Sequence, residues 1–576
     1  MSKLNIDQKS IRDLLTDKRT DFLIPDYQRP YAWGEDECST LWDDLFAFAF
    51  PGNDCDAFNP NDEYFLGPIV TFKNDRGQLE IIDGQQRLTT IMLLLRAFYD
   101  KFENMKDTKS KKMHEDIACC VWKTNEFDVP DMDRLKIDSE VASDDDKDEF
   151  LRILRTGMTE PEWKSRYAKN FSFFQRMITM LANEWPTYLA LFATRIIRNV
   201  ILLPIEAESQ DTALRIFSTL NDRGLPLSDA DIFKSQFYKY YSDKGEKDMF
   251  VARWKRLEEG ANKIFHPLRG TPMDELFTRY MYYRRAAKGI RDTTTQSLRD
   301  FFSSDAYAML KSDDALSDLE SLLDFWSKID AQEGFSDRVL RLLFVLNYAP
   351  NGMWTYLLSV WFLANRDAEG HLDDDGLYRF LNLITAFILA YAIERPGVNA
   401  LRTPVYPEMI NIVQHQPVTF SSHRFNRTEI ANRFHAFMFT NGRPITRSML
   451  TWWAYNDPEQ PLIGLDMTLE IEHIYARKRN EIDPLTSKSN LEALGNKSLL
   501  EKRVNIRASD YRFADKRKYY AGFTDGNANR RPGTAIHELV QLANGHDDFT
   551  ETDIEQRNDL IIDSFMNYLE DNNLLD

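Results

Sequence analysis

Near the end of the chain an acid and a histidine stand side by side at the close of a short alternating run, Leu469-Glu-Ile-Glu-His-Ile474. Two asparagines follow, Asn496 and, nine residues later, Asn505. A carboxylate and an amide oxygen suit a hard cation such as Mg2+ or Mn2+, while a neutral imidazole can take a proton from water. Gathered in one space, Glu472, His473, Asn496 and Asn505 supply the groups that one-metal hydrolysis of a phosphodiester requires. A lone histidine is more often a structural one; the asparagine pair and a basic flank turn that balance here. Between His473 and Gly533 stand fourteen Lys or Arg against seven Asp or Glu, in a chain whose net charge is −19. Such a local excess must hold an anion or be neutralised by other parts of the chain. The phosphate backbone is the economical anion, with Arg477, Lys478, Lys497, Lys502, Arg503 and Lys516 as candidate DNA contacts. The alternative is a solvated helix face.

The elements that must position these groups follow from periodicity. Alternation makes Leu469 to Ile474 a strand, Ser498 to Leu500 is a second short apolar run, and Tyr511-Arg-Phe-Ala-Asp-Lys-Arg-Lys-Tyr-Tyr520 reads as a helix. On the first strand Glu470 shares a face with Glu472. Strand, loop, strand and helix with an acid-His pair and two later asparagines resemble the HNH, or ββα-metal, nucleases. That resemblance implies His473 as general base, Glu472 and Asn505 as metal ligands, Asn496 as the residue orienting the loop that carries His473, and Glu470 as a reserve ligand. The chain departs from the pattern at Ala476, where a proline is common.

Three further stretches mark the first half of the chain. Ile24-Pro-Asp-Tyr-Gln-Arg-Pro-Tyr-Ala-Trp33 is held extended by its prolines. Its Tyr27, Tyr31 and Trp33 either line a modified-base pocket or pack beneath the helix expected from Glu35 to Phe48. Phe65 to Phe72 and Gln78 to Ile82 read as a hairpin, after which Asp83-Gly-Gln-Gln-Arg-Leu-Thr-Thr90 leads into a helix with Thr89 or Thr90 as its cap. A glycine at a strand-to-helix turn lets backbone N–H groups face an anion, Arg87 is a bidentate phosphate donor, and Asp83 is suited to hold a cation or activate water. In Ile216 to Lys234 a turn at Asn221 to Gly224 presents Asn221 and Arg223, and Ser228 caps the next helix.

Together, YQRPYAW, DGQQRLTT and FSTLNDRGLPLSDADIFK resemble the N-terminal domain of the GmrSD-type modification-dependent restriction endonucleases and of SspE-like phage-defence proteins. The resemblance implies a ParB/sulfiredoxin-like fold with nucleoside triphosphate hydrolysis, followed by a C-terminal HNH domain. It places Gln28, Arg29, Asp83, Gly84, Gln85, Gln86, Arg87, Asn221 and Arg223 at a nucleotide site, with Asp83 catalytic.

With 576 residues and 43% hydrophobic content, the chain is long enough for several cores. Cys38, Cys55, Cys119 and Cys120 form no CxxC pair, which favours a reducing cytoplasm over disulfides or structural zinc. No signal peptide opens the sequence, and its apolar runs are short or interrupted, so no membrane span is expected. From Tyr241 to Thr440 apolar residues recur at helical spacing. The expected class is α+β and mostly helical: a ParB-like domain over 1–240, a helical connector over 241–445 and an HNH domain over 446–576. The expected partners are DNA, modified phage DNA above all, and a nucleoside triphosphate, with a homo-oligomer a further possibility. The competing readings are a ParB-like nucleotide-switched DNA-binding adaptor without nuclease activity and an RNA-directed HNH nuclease.

Overall fold

The alternating run that ends at Asp83 and the run before it fold as the hairpin their turn residues dictate, at the centre of a sheet. The computed structural model describes the chain apart from residues 1–4, 7, 142, 143, 145, 210, 211, 214, 215, 217–227, 396, 510 and 527. It is α+β and mostly helical, in two compact units, Met1–Arg256 and Leu257–Asp576.

Among the described residues of the first unit, seven strands share one sheet: β1 (Asn5–Ile6), β2 (Lys9–Ser10), β3 (Phe22–Ile24), β4 (Tyr64–Lys73), β5 (Leu79–Asp83), β6 (Ile137–Ser139) and β7 (Val200–Ala207). Their order is β1-β7-β4-β5-β3-β6, with β2 also beside β7. β4 and β5 run antiparallel, whereas β3 is parallel to β5 and β6, and β4 is parallel to β7. Behind the sheet, α1 (Glu35–Ala49) and α2 (Gln85–Glu103) lie in a large apolar core. α2 is the central element: Leu88, Ile91, Met92, Leu93, Leu94, Leu95 and Phe98 are all buried, on every side of the helix. A helix apolar all round must be covered all round, and the helices Thr108–Val121 and Arg166–Glu184 pack against it.

α2 begins at Gln85, earlier than the threonine-capped start expected. Gly84 is its N-cap, at φ 94°, and no side chain caps it. A Cβ there would stand 3.0 Å from Ile69 Cγ1 and 3.1 Å from the Pro68 carbonyl, so both the left-handed backbone and the space demand glycine. Thr90 instead bonds back to the Gln86 carbonyl and to Tyr31. Farther along, Ser228 does cap the helix Asp229–Asp243, its Oγ accepting from the Asp231 N–H at 3.1 Å.

The second unit opens with helices, among them α3 (Asp337–Asn347), α4 (Asp374–Glu394) and α5 (Pro444–Asn456). α4 is long and apolar enough to cross a bilayer, but 67% of its most apolar window is buried in the protein. The chain then forms β8 (Leu469–His473), β9 (Lys497–Glu501), α6 (Lys502–Ala508), α7 (Phe513–Ala521) and α8 (Glu551–Asp571).

Candidate active site

β8 and β9 pair antiparallel with Glu472 opposite Ser498 and His473 opposite Lys497. Strand alternation therefore sends Glu470 and Glu472 to one face and His473 to the other. On the acidic face, Asn505 of α6 donates through Nδ2 to Glu470 Oε2 at 2.7 Å. Lys516 of α7 donates through Nζ to Glu472 Oε1 at 2.6 Å and to the His473 carbonyl at 2.7 Å. The Tyr520 hydroxyl donates to the same Glu472 oxygen at 2.6 Å. Glu472, Lys516 and Tyr520 are all buried. Desolvation, then the charge of Glu472, raises the Tyr520 phenol well above its ordinary value, so it stays a donor.

On the other face, His473 Nε2 lies 3.5 Å from Glu492 Oε1, a carboxylate that also takes Arg477 at 3.1 Å and the ammonium of Lys497. Among the described residues that nitrogen has no hydrogen-bond partner. Burial first, then the positive charges of Lys497 and Arg477, lower the imidazole to about 4. At neutral pH His473 therefore carries no charge, the form that accepts a proton.

Asn496 holds the loop that leaves this strand. Its Oδ1 accepts from the Tyr475 N–H at 2.7 Å, and its Nδ2 donates to the carbonyls of Tyr475 at 3.2 Å and Leu491 at 3.1 Å. Its own carbonyl accepts from the Ile474 N–H at 2.9 Å. Arg557 of α8 braces the far side, donating to the carbonyls of Leu494, Gly495 and Lys497. α8 comes so close that a Cβ on Gly495 would stand 2.0 Å from the Ile554 carbonyl.

A hard divalent cation needs several oxygen donors. Glu470 and Glu472 offer two carboxylates on one face of β8 and Asn505 of α6 an amide beside Glu470, the kinds of donor that suit Mg2+ or Mn2+. Glu470 and Asn505 are only half-buried; Glu472 Oε1 is already met by the Lys516 ammonium and the Tyr520 hydroxyl.

In the first unit, Asp83 and Arg87 pair at 3.2 Å. The Arg87 guanidinium fits against Gly67, where a Cβ would collide with it. Burial raises the Asp83 carboxyl above its usual range, opposed by Arg87, the Gly84 N–H and Arg29. Two guanidinium groups thus act on one carboxylate at a helix start that no side chain caps.

One family model, described as GmrSD restriction endonuclease, N-terminal domain, matches residues 11–238, and another, described as GmrSD restriction endonucleases, C-terminal domain, matches residues 424–564. The chain belongs to the GmrSD restriction endonuclease family. No curated protein matches it. As a GmrSD restriction endonuclease it is a nuclease of phage defence, and DNA is its partner. The GmrSD C-terminal match contains Glu470, Glu472, His473, Asn496 and Asn505; the N-terminal match contains Asp83, Gly84 and Arg87.

Within these GmrSD domains several expected contacts prove to be spent elsewhere. Lys497 and Lys516 are buried, and their ammonium groups face inward: Lys497 meets the Phe439 carbonyl, Asn441 and Glu492, and Lys516 meets Glu472. Neither can lie on a DNA backbone in this arrangement, whereas Arg477, Lys478, Lys502 and Arg503 are exposed. Gln28, Gln85 and Gln86 are also buried. Gln28 donates to the Ile81 and Ile82 carbonyls, Gln85 to that of Arg29, and Gln86 to that of Pro30 while accepting from the Ala32 and Trp33 N–H groups. Gln85 and Gln86 thus staple the 24–33 segment to α2 and Gln28 ties it to β5, which leaves little of these amides for a nucleotide. Tyr31 is core, stacked on Tyr167 and bonded to Thr90, and Tyr27 is buried as well, so neither lines a modified-base pocket. Asn221 and Arg223 lie outside the described residues. Sequence reasoning missed Tyr520, Glu492 and Arg557, none of which carries a motif; the packing of α7, of α8 and of the loop before β9 around the paired strands brings them to the site.

Proposed function

We propose that the second unit cuts or nicks DNA in the cytoplasm through an HNH-like site with one bound Mg2+ or Mn2+. The first unit, ParB-like in fold, binds and hydrolyses a nucleoside triphosphate and senses modified phage DNA. What supports the nuclease half best is the Asn496 clamp: three hydrogen bonds made by one buried amide fix the loop directly after a neutral histidine whose Nε2 has no hydrogen-bond partner among the described residues. Held by Glu470, Glu472 and Asn505, a divalent ion would stabilise negative charge on the scissile phosphate and its leaving oxygen. His473 takes the proton from the attacking water. Arg477, Lys478, Lys502 and Arg503 hold the backbone by charge without reading sequence. In the first unit, the free N–H groups at the start of α2 and the guanidinium groups of Arg29 and Arg87 receive phosphates, and Asp83 orients water or a cation.

Purified protein digesting matched unmodified, glucosylated hydroxymethylcytosine and phosphorothioate DNA tests the reading. His473→Ala should lower metal-dependent cleavage by about 100-fold or more, and cleavage undiminished in that variant would remove His473 as base. Asp83→Ala and Arg87→Ala should abolish nucleoside triphosphate turnover while circular dichroism stays unchanged; normal turnover would remove the N-terminal site.

A further inference from the structure

Lined by none of the residues of either proposed site, an open cavity of about 700 Å3 in the second unit lies among α3, α4, α5 and the end of α8. Four arginines line it: Arg338, Arg341, Arg379 and Arg424, with Asp571 as the one lining carboxylate. The four guanidinium groups are not equivalent. Arg338 is neutralised by Asp374 and Asp375, with its Nε at 2.9 Å from Asp374 Oδ2. Arg341 is held rigid by main-chain carbonyls, those of Tyr455 at 3.0 Å, Asp457 and Gln460, and lies over the Tyr455 ring; carbonyls fix its direction without cancelling its charge. Among the described residues, no hydrogen bond, ion pair or ring contact holds Arg379 or Arg424. Three cations without a carboxylate partner therefore meet in one concavity, in a protein whose net charge is −19. Like charges lining one cavity repel one another unless an anion comes between them. Guanidinium is also the cation whose planar fork matches phosphate oxygens two at a time, and the volume lies in the range of pockets that hold nucleotide-sized ligands.

We propose that this cavity binds phosphate groups of a nucleotide, either free or within a DNA strand, with Arg379 and Arg424 as the mobile donors and Arg341 as the fixed one. It is a third phosphate site, separate from the Asp83 turn and from β8, and it does not depend on the roles proposed for either. Because no side-chain hydrogen bond or ion pair among the described residues holds Arg379 or Arg424, their replacement should leave the fold intact, so the full-length double variant Arg379→Gln/Arg424→Gln is informative.

Two arms separate the sources of the phosphate: fluorescence anisotropy with a labelled DNA duplex and a labelled single strand, and calorimetric titration with ATP and GTP. A second variant, Arg269→Gln/Arg291→Gln, removes two exposed charges of the same unit and reports bulk electrostatics alone. The expected result is a loss of at least tenfold in affinity in the DNA arm, the nucleotide arm or both, for the cavity variant only, with an unchanged unfolding midpoint. A change below twofold in both arms, or an equal loss in the control variant, would overturn the proposal.

Discussion

Lys516 shows how one side chain can look like a DNA contact in sequence and be something else in the fold. In Asp515-Lys-Arg-Lys518 the three basic residues are indistinguishable by composition. Only the position of α7 against β8 turns Lys516 inward onto Glu472 while Lys518 remains outside the core. A buried ion pair adds little over an apolar pair, but removing one partner strands the other. Lys516→Met should therefore destabilise the protein by about 3–5 kcal/mol in urea unfolding, whereas Lys478→Ala at an exposed position should stay within about 0.5 kcal/mol. Equal effects of the two substitutions would mean that Lys516 is not buried as described. His473 offers a second residue-scale test, made in EDTA so that no divalent ion contributes. Its folded value of about 4 lies below the ordinary 6.5, so as pH falls through 6.5 the unfolded chain takes a proton that the folded one refuses. Stability must then decline between pH 6.5 and about 4, by on the order of 3 kcal/mol. His473→Ala should lose that slope; a slope unchanged in the variant would place the titration on another group. Glu492, facing the imidazole, opposes the shift, and Lys497 and Arg477 reinforce it.

At the scale of elements, what was legible followed from strict periodicity and what was not followed from backbone geometry. The β4–β5 hairpin and the β8 strand announce themselves by alternation, and α1 by its acidic first turn and apolar stripe. The start of α2 does not, because Asp83-Gly-Gln-Gln-Arg87 looks like a polar loop until Gly84 takes a left-handed conformation and caps it. α6 was missed for a different reason: Lys502–Ala508 is seven residues long, too short for a helical period to stand out, yet it is what carries Asn505 to Glu470. Gly84 converts this into a prediction. Gly84→Ala combines a positive φ with a Cβ pressed against Ile69 and Pro68, so it should cost about 1–3 kcal/mol and weaken whatever depends on the Asp83–Arg87 turn. Thermal unfolding measures the first effect; if the midpoint does not move, the turn is more tolerant than its geometry implies.

At the scale of the whole molecule the question is how a protein of net charge −19 holds a polyanion. Long-range attraction cannot do it, since the overall field repels DNA at low ionic strength. Binding must come from local basic surface, and there the fold corrects a simple count of the basic flank. Of six candidate contacts, Lys497 and Lys516 are buried against carboxylates and contribute no counterion release, leaving Arg477, Lys478, Lys502 and Arg503 exposed. Arg477 is itself shared with Glu492 at 3.1 Å, which weakens its claim on a phosphate. Lys502 and Arg503, at the start of α6 three and two residues before Asn505, are the exposed pair nearest the candidate metal ligands in sequence. Each phosphate contact adds about 0.9 to the slope of log affinity against log salt for duplex DNA. Lys502→Ala/Arg503→Ala should therefore flatten that slope by roughly 2, with affinity reduced similarly for every DNA sequence tried and the unfolding midpoint unchanged. A slope identical to that of the unaltered protein would mean that the DNA lies on another surface, and the arginine-lined cavity beside α4 would then be the first place to look.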